Sequence, residues 1–362
     1  MITATRQNQS TVFKQLNVAS FESVTNPNSI HGIYPYRGKI SALEAKAIVT
    51  QLPQGVLLDP FCGSGTILYE ADRAGLDTIG VDNNPLAIWV AKGKLASAQT
   101  TLEREIVSIE KIIAIAKKRK RKQPLTPLLE KSFHKKTAYE VYSVIDEFEG
   151  LSEYARACLL GAIALTARGC NQYKWTSSTV GKDIQPKRYV NFYEKLLHKI
   201  KKHIYQNAPL HRSEVHLYDS RKITDLLNPN SVDYVFTSPP YFDALDYTAY
   251  YGQIIYGLLG INRFDIKKNL IQTVKEYEVD MKEVLAKLVE VTKKDGLIIF
   301  VVGDKKIEKN IINGGTFFSK LLDHQPNIIH ERRYTGSSSQ IFDRLNKTER
   351  KEQVIIWDKS TW

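Results

Sequence analysis

The feature that most constrains the fold is a pair of short apolar runs, each ending in an aspartate and each followed by a turn and a helical stretch. The first run, Gly55–Asp59, precedes a helix that begins at Thr66. The second run, Thr78–Asp82, precedes a helix that begins at Pro85. Buried strands that alternate with helices are typical of a parallel sheet covered on both faces. We therefore predict an α/β protein with a doubly wound, mostly parallel sheet.

The pattern of apolar residues divides the chain into three parts. Residues 1–100 carry the strand–helix pattern, whereas residues 101–215 have the apolar periodicity of helices. Residues 216–362 return to apolar runs of strand length. The predicted strands in this last stretch and at its border lie at 215–218, 232–237, 296–302 and 354–358. We therefore predict one α/β domain, formed by 1–100 and 216–362, with 101–215 as a helical insertion.

The positive charge of the chain is concentrated in the predicted insertion. The chain has 51 Lys and Arg against 39 Asp and Glu, a net charge of +12, and residues 101–215 hold 22 of these cations and 12 of these anions. Clustered cations attract polyanions by electrostatic steering and counterion release. We therefore expect a nucleic acid partner; the alternative is a solvated helix surface. A membrane surface is less favoured because no apolar helical face follows the basic run at 117–122.

Other sequence features exclude several classes of protein. The three cysteines, Cys62, Cys158 and Cys170, are too few and too scattered for a disulfide framework or a zinc cluster. The histidines have no metal-ligand spacing, so we assign no metal. The first residues lack the apolar core of a signal peptide, and no apolar run is long enough to span a membrane. We expect a cytoplasmic, nucleoid-associated protein with no membrane partner.

The turn after the first predicted strand indicates an adenosine cofactor. Gly63 and Gly65 let the backbone turn tightly and approach a ligand, and Asp82 follows where a carboxylate can bind a ribose. A dinucleotide fingerprint would place a third glycine at Leu68, and a phosphate loop would require Gly-Lys-Ser/Thr; neither is present. Asp59 disfavours pyrophosphate and suits a cationic ligand. These features favour S-adenosylmethionine, with a plain strand–helix turn as the alternative.

A second group of residues follows the predicted strand 232–237. Ser238 is followed by Pro239, Pro240 and Tyr241. Two consecutive prolines fix the chain and remove two N–H donors, which leaves a rigid set of acceptors beside an aromatic ring. Acceptors that bind both N–H groups of an exocyclic amine stabilise the charge that grows on its nitrogen as a methyl group arrives. The aromatic ring could stack on a base that has left the double helix.

These blocks resemble the DNA amino-methyltransferases, which modify cytosine N4 or adenine N6. Asp59–Thr66 is similar to the cofactor motif of that family and Thr237–Tyr241 to its catalytic motif; His31–Lys39 and Leu217–Ser220 resemble two further elements. The resemblance covers roughly residues 30–95 and 215–305. It implies a Rossmann-like class I methyltransferase fold with a seven-stranded sheet, S-adenosylmethionine as cofactor and a flipped base in double-stranded DNA as substrate.

The resemblance assigns roles to individual residues. The catalytic set is Ser238, Pro239, Pro240 and Tyr241. The cofactor-binding set is Tyr36, Lys39, Asp59, Pro60, Phe61, Gly63, Gly65, Thr66, Asp82, Asn83 and Asp219. For the phosphates of DNA we expect contacts from Lys117, Lys118, Arg119, Lys120, Arg121 and Lys122, and from Arg332 and Arg333 in a predicted loop. Adenine enzymes of the family mostly carry Asp or Asn where Ser238 stands, so the resemblance favours N4 of cytosine.

Several alternatives remain open on the sequence. The target-recognition region is expected in 101–215, with 262–285 as the alternative. An adenine-N6 enzyme, an RNA methyltransferase and a protein-glutamine methyltransferase are alternative activities. A non-catalytic DNA-binding protein on this fold would predict decay of the glycine turn or of Pro239–Tyr241, and both are intact. The family also allows a restriction-modification system, with a separately encoded cognate restriction endonuclease as a further partner.

Overall fold

The computed structural model describes most of the chain. The residues described are 16, 29–36, 40–119, 125–167, 188–204, 212–240, 246, 248–271, 274–307, 310–335 and 349–362. Among them, no helix is both long enough and apolar enough to cross a lipid bilayer.

The strands form one large sheet and one hairpin. In chain order they are β1 (Val56–Asp59), β2 (Asp77–Asp82), β3 (Ser213–Leu217), β4 (Val232–Thr237), β5 (Thr292–Gly303), β6 (Lys305–Ile307), β7 (Asn310–Ile312), β8 (Ile328–Thr335) and β9 (Glu349–Asp358). The seven-stranded sheet has the order β3-β2-β1-β4-β5-β9-β8, and β6 pairs only with β7. Neighbours among β1 to β5 are parallel, whereas β9 is antiparallel to β5 and to β8. This topology confirms the predicted Rossmann-like, doubly wound and mostly parallel sheet.

Helices connect and cover these strands. In chain order they are α1 (Ala42–Val49), α2 (Thr66–Arg73), α3 (Pro85–Ala96), α4 (Leu102–Lys118), α5 (Pro127–Ser132), α6 (Lys135–Ile145), α7 (Glu153–Thr166), α8 (Phe192–His203), α9 (Tyr250–Leu258), α10 (Arg263–Asn269), α11 (Val274–Val291) and α12 (Gly314–Ser319). Short 3₁₀ turns occur at Ser29–Gly32, Phe148–Gly150, Ser220–Asp225 and Lys359–Thr361.

Both faces of the sheet are buried, as alternation along β4 shows. Successive side chains of a strand point to opposite faces. Val235 belongs to an apolar cluster that includes Met281 and Leu285 of α11, whereas Tyr234 and Phe236 belong to a cluster on the other face with α1. All six residues of β4 are buried, which is typical of a central strand in a doubly wound sheet.

The order of the strands places a crevice at the carboxyl ends of β1 and β4. Strands β2 and β3 lie on one side of β1 in the sheet, whereas β4 and β5 lie on the other side. Such a switch in strand order opens a ligand-binding crevice in α/β sheets. Asp59 and Thr237 are the last residues of β1 and β4, so the two predicted motifs meet at this point.

The basic region of the sequence is helical, and its core is continuous with that of the sheet domain. Helices α4 to α8 lie between β2 and β3 in the chain. One apolar cluster includes Val141 and Leu159 of this region together with Tyr69 and Leu86 of α2 and α3. Helix α7 packs closely on α3, where a Cβ on Gly93 would lie 2.2 Å from the Cβ of Ala157. The helical insertion therefore shares one core with the helices beside the sheet.

Several boundaries differ from the sequence expectations. Strand β3 begins at Ser213, two residues before the expected end of the insertion, because Ser213 already pairs with Thr78 of β2. The hairpin and β8 are additional strands that no apolar run indicated. Arg332 and Arg333, expected in a loop, lie in β8, where their backbones pair with β9. An edge strand with many charged residues lacks the apolar signal of a buried strand.

Candidate active site

A cleft lies at the carboxyl ends of β1, β2 and β4 and encloses about 620 Å³. It is bounded on one side by the turn after β1 and on the other by the segment between α10 and α11. The residues that line it are Tyr36, Phe61, Gly63, Asp82, Asn83, Asn84, Asp219, Ser220, Ser238, Pro240, Leu270 and Ile271. Residues from six separate segments of the sequence, four of which follow the strands β1 to β4, thus meet in one cavity.

The turn after β1 depends on two glycines with positive φ. Gly63 has φ +48° and Gly65 has φ +69°, which is left-handed backbone that other residues rarely adopt. A Cβ on Gly65 would lie 2.8 Å from the Cβ of Ala91 in α3. The turn is therefore pressed against α3, and α2 begins directly after it at Thr66.

Asp82 anchors this turn from the end of β2. Its Oδ2 accepts a hydrogen bond from the backbone N–H of Gly63 at 2.9 Å, and its Oδ1 accepts one from the N–H of Asn84 at 2.8 Å. Burial raises the pKa of Asp82 to about 6, although both hydrogen bonds lower it. Each carboxylate oxygen can accept more than one hydrogen bond. Asp82 is thus a fixed acceptor in the cleft, suited to the hydroxyls of a ribose.

Asp59 lies deeper, between β1 and β4. Its Oδ1 accepts hydrogen bonds from Thr237 Oγ1 at 2.6 Å and from the N–H of Phe61 at 3.2 Å. Burial, with a smaller contribution from the charge of Asp82, raises the pKa of Asp59 to about 7 despite these bonds. Asp59 also lines a recess of about 300 Å³ that adjoins the cleft and shares Tyr36 with it. A cationic group bound there would favour the ionised carboxylate.

A buried lysine lies beneath the glycine turn. Lys94 of α3 is 1% exposed, and its Nζ donates to Ser64 Oγ and to Thr66 Oγ1, both at 3.3 Å. Its charge also lowers the pKa of Glu70, which burial raises. Sequence analysis missed this residue. Lys92 and Lys94 occur in the same apolar helix, and only the packing of α3 decides which one points inward.

Asp219 also lines the cleft, and an arginine holds its side chain in place. Arg221 Nε donates to Asp219 Oδ1 at 3.0 Å, and Arg221 Nη1 donates to Asp280 of α11 at 3.1 Å. Burial raises the pKa of Asp219, but the hydrogen bonds from Arg221 outweigh that effect and hold the pKa below its ordinary value. Asn83 Nδ2 donates to the carbonyl of Asn269 at 3.1 Å. The bond from Asn83 attaches the end of α10 to the cleft.

The turn after β4 brings the predicted catalytic residues to the same place. Ser238 and Pro240 line the cleft, and Pro239 faces a second recess of about 280 Å³. Tyr277 of α11 donates its hydroxyl to the carbonyl of Pro240 at 2.6 Å, which fixes the orientation of this carbonyl. Tyr241 lies outside the described residues. The arrangement offers a hydroxyl and backbone carbonyls as acceptors at the rim of a nucleoside-sized cavity.

The remaining predicted cofactor residues lie close by or outside the described part. Phe61, Gly63, Asn83 and Tyr36 line the cleft, and Thr66 lines the adjoining recess. The carbonyl of Pro60 accepts a hydrogen bond from Ser220 Oγ. Gly65 is the N-cap residue of α2. Lys39 lies outside the described residues.

Asp246 is held against α10 by two cationic side chains. This carboxylate accepts hydrogen bonds from Lys267 Nζ at 2.8 Å and from Arg263 Nη1 at 3.3 Å, both in α10. Burial raises the pKa of Asp246, but hydrogen bonds from Lys267 and Thr248 outweigh it and lower the pKa to about 2. The ionised side chain of Asp246 is therefore attached to α10.

Of the side chains predicted to contact DNA, the structure describes those of Lys117, Lys118 and Arg119. Lys117 and Lys118 are exposed at the end of α4. Arg119 forms ion pairs with Asp146 at 3.2 Å and with Glu147, so its charge is largely compensated. Lys120, Arg121 and Lys122 lie outside the described residues, as do the side chains of Arg332 and Arg333. Within the described part of the chain, no group of three or more His, Cys, Asp or Glu side chains could hold a metal ion.

Comparisons with known proteins identify the family. The family model "D12 class N6 adenine-specific DNA methyltransferase" matches residues 41–294, more than half of the chain. A second family model, "DNA methylase", matches residues 232–362, which include Ser238 and both prolines after it. The chain belongs to the DNA amino-methyltransferase family. This result confirms the predicted family, and it leaves cytosine N4 and adenine N6 both open as targets.

Individual relatives of this DNA amino-methyltransferase are distant. The Type II methyltransferase M.MjaII of Methanocaldococcus jannaschii is 38% identical over 68 residues, which cover 18% of this chain and 13% of that protein. Two structures of the rRNA methyltransferase AviRa from Streptomyces viridochromogenes match at TM-scores of 0.38 and 0.37, with 12% and 11% identity, 94% coverage of this chain and 97% of theirs. TM-scores this low support no conclusion about fold or activity.

Proposed function

We propose that this chain transfers a methyl group from S-adenosylmethionine to the exocyclic N4 amine of cytosine in double-stranded DNA. The observation that carries the proposal is the position of Ser238, which lines the same cleft as Asp82 and Asp219. A hydroxyl acceptor at the end of β4 thus shares one cavity with two carboxylates suited to an adenosine group. Methyl transfer requires this proximity of the two reacting groups.

The chemistry of the cleft fits S-adenosylmethionine. No lysine or arginine is among the described residues that line it, which suits a nucleoside without phosphates. A Cβ on Gly63 would lie 3.4 Å from the ring of Tyr36, so glycine keeps this approach open. When bound, S-adenosylmethionine supplies an electrophilic methyl group on a sulfonium.

The residues of the cleft then have distinct roles. Asp82 would accept hydrogen bonds from the ribose, and Asp219 would lie beside the adenine. Asp59 would face the ammonium group from the adjoining recess. Ser238 Oγ and a carbonyl of the same turn would accept the two N–H groups of the target amine, which stabilises positive charge on its nitrogen during transfer.

Two observations bear on the target base. Ser238 favours cytosine, because adenine enzymes of the family mostly have Asp or Asn at this position. The D12 match favours adenine, because the family model that covers residues 41–294 is described as specific for adenine N6. N6 of adenine is therefore the second candidate. Both reactions use the same acceptors, since both targets are planar exocyclic amines.

The proposed partner is double-stranded DNA, which the insertion would contact through its basic surface. The relative in Methanocaldococcus jannaschii is named a Type II methyltransferase. This name supports a further proposal, that the chain acts in a restriction-modification system with a separate endonuclease, in the cytoplasm at the nucleoid. The target-recognition role we assign to 101–215. The alternative segment, 262–285, includes α10, whose last residue is attached to the cleft through Asn83 and Arg221.

Mass spectrometry of nucleosides tests the proposal. Purified protein is incubated with S-adenosylmethionine and with separate DNA and RNA pools, and the digested products are identified. N4-methyldeoxycytidine is the expected product. N6-methyldeoxyadenosine would show that the target is adenine N6, the second candidate. A product in RNA alone would contradict the DNA substrate. Binding of S-adenosylmethionine without any methylated nucleoside in either pool would contradict the activity.

A further inference from the structure

The insertion carries an open groove of about 1270 Å³ on the side formed by the end of α4 and the starts of α6 and α8. Three lysines, Lys117, Lys135 and Lys136, and two tyrosines, Tyr139 and Tyr193, are among the residues that line it. The three lysines are exposed. Two of them, Lys135 and Lys136, were not among the residues that the sequence assigned to nucleic acid.

Within the described part of the chain, none of the three lysines forms an ion pair with a carboxylate. Glu140, the acidic residue of the groove, is buried and accepts hydrogen bonds from Tyr189 Oη and from the N–H of Phe192, both at 2.8 Å. Its oxygens are thus occupied by protein donors. Arg119, also in the groove, is paired with Asp146 and Glu147 on its outer side.

The lysines lie over aromatic rings that are themselves held in place. Lys117 Nζ is 5.5 Å from the ring centroid of Tyr193, and Lys136 Nζ is 4.4 Å from that of Tyr189. Tyr193 Oη is 3.0 Å from Ser143 Oγ, so this ring is anchored at its polar end. Lys117 and Lys136, each held over a fixed ring, therefore present their charges at defined positions in the groove.

A rigid element joins the groove to the active site. Tyr193 and Lys199 are six residues apart in α8, or about 9 Å along the helix axis. Lys199 Nζ donates to the carbonyls of Gly32 at 2.7 Å and Ile33 at 2.8 Å, and Tyr36, three residues later, lines the cleft. A polymer held in the groove is therefore held by the same body that forms one wall of the cleft.

We propose that this groove binds the phosphodiester backbone of the DNA that flanks the methylated base. The inference rests on the proposed function, because it takes DNA as the substrate. It assigns the contact to Lys117, Lys135 and Lys136, and it leaves Arg119 as an internal ion-pair partner. The groove then supplies affinity that is independent of sequence, since phosphates are the same at every base pair.

The test compares two double variants with equal loss of charge. Lys135→Gln with Lys136→Gln removes two groove cations from the first turn of α6, where cations are unfavourable to the helix, so the fold is not weakened. Lys111→Gln with Lys131→Gln removes two exposed lysines of the insertion that do not line the groove. Binding to a fluorescent DNA duplex is measured by anisotropy over a series of salt concentrations, and binding of S-adenosylmethionine is measured alongside.

The two variants should differ in their response to salt. The groove variant should bind DNA roughly tenfold more weakly at low salt, and the slope of log affinity against log salt should decrease by about 2. The control variant should retain the slope of the parent protein, and both variants should bind S-adenosylmethionine normally. An equal slope in the groove variant and the parent would overturn the inference.

Failure of the proposed function gives a different result. If the parent protein methylates DNA and the groove variant binds DNA with unchanged slope, the groove alone is wrongly assigned. If the parent protein binds S-adenosylmethionine but neither binds nor methylates DNA, the proposed function fails and the groove assignment fails with it. Binding of an RNA duplex instead of DNA, lost in the groove variant, would overturn DNA as the occupant.

Discussion

Single carboxylates control the chemistry of the cleft. Asp59 and Asp82 are adjacent in space, and burial raises the pKa of the first to about 7 and of the second to about 6. Without a ligand, both therefore titrate close to neutral pH. A bound cation stabilises the ionised form of a carboxylate, so ligand binding and proton release at Asp59 are coupled.

We expect the affinity for S-adenosylmethionine to depend on pH through Asp59. Below pH 7 the carboxyl is mostly protonated, and binding of a cation requires that the proton leave. Affinity should therefore increase as pH rises from about 6 to 7, where Asp59 ionises and the ammonium group of the ligand is still protonated. Isothermal titration at several pH values measures this, and Asp59→Asn should bind weakly with a smaller increase, because Asp82 still titrates near pH 6. A profile that decreases with pH would contradict the role of Asp59.

Substitution of Ser238 should separate catalysis from cofactor binding. Ser238→Ala removes the hydroxyl acceptor and should lower the rate of methyl transfer by about 10²-fold, as is usual when one preorganised group at a developing charge is lost. The affinity for S-adenosylmethionine should stay within twofold of the parent value. Ser238→Thr, which retains the hydroxyl, serves as the control. Equal rates in the alanine variant and the parent would remove Ser238 from the mechanism.

The buried Lys94 should control the order of the glycine turn. Lys94→Met preserves volume and removes the donor to Ser64 and Thr66, so the turn loses its support and binding of S-adenosylmethionine should weaken several-fold. Lys92→Met, at a partly exposed position of the same helix, should bind normally. Titrations of both variants with S-adenosylmethionine compare the two affinities. Equal affinity in the two variants would show that the turn is held by its glycines alone.

Helix α11 connects the two halves of the candidate active site. Tyr277 and Asp280 are three residues apart and so lie on one face of the helix. Tyr277 donates a hydrogen bond to the carbonyl of Pro240 in the turn after β4, whereas Asp280 accepts one from Arg221, which also binds Asp219. One helix face thus positions both the turn after β4, which holds the predicted catalytic residues, and the Asp219 end of the cleft.

Variants of α11 should separate these two effects. Tyr277→Phe removes the hydrogen bond to Pro240 and should lower kcat several-fold, with little effect on cofactor affinity. Asp280→Asn weakens the hold on Arg221 and should instead weaken binding of S-adenosylmethionine. Steady-state kinetics with cofactor titrations compare the two. The same change in kcat and in affinity for both variants would indicate a general structural role for α11.

The sequence predicted those elements in which local pattern and tertiary environment agree. Buried strands such as β4 are mostly apolar, and the turn after β1 has two glycines at positions with positive φ, so both were found. Strand β8 was missed because its charged residues are tolerated at the sheet edge. The pairing of Tyr277 with Pro240, 37 residues apart, depends on how α11 packs, and no local pattern contains that information.

At the scale of the whole molecule, the contact between α3 and α7 is one of those that join the insertion to the sheet domain. Gly93→Ala would place a methyl group 2.2 Å from the Cβ of Ala157 and should destabilise the protein by about 1–3 kcal/mol. Gly150→Ala is the matched control, because a Cβ there would have no heavy atom within 4 Å. Thermal unfolding of the two variants measures the difference. Equal unfolding temperatures would show that α3 and α7 can move apart without loss of stability.

On the proposed role of 101–215 in target recognition, the continuous core of the insertion has a consequence for attempts to change target preference. A recognition module with its own core can be exchanged between relatives as a cassette. Here Val141 and Leu159 of the insertion pack in one cluster with Tyr69 and Leu86, so an exchange would cut through a buried interface. A graft would therefore yield insoluble chimeras before it yielded a new specificity. Redesign of this enzyme has to proceed by surface side chains, with the helices left in place.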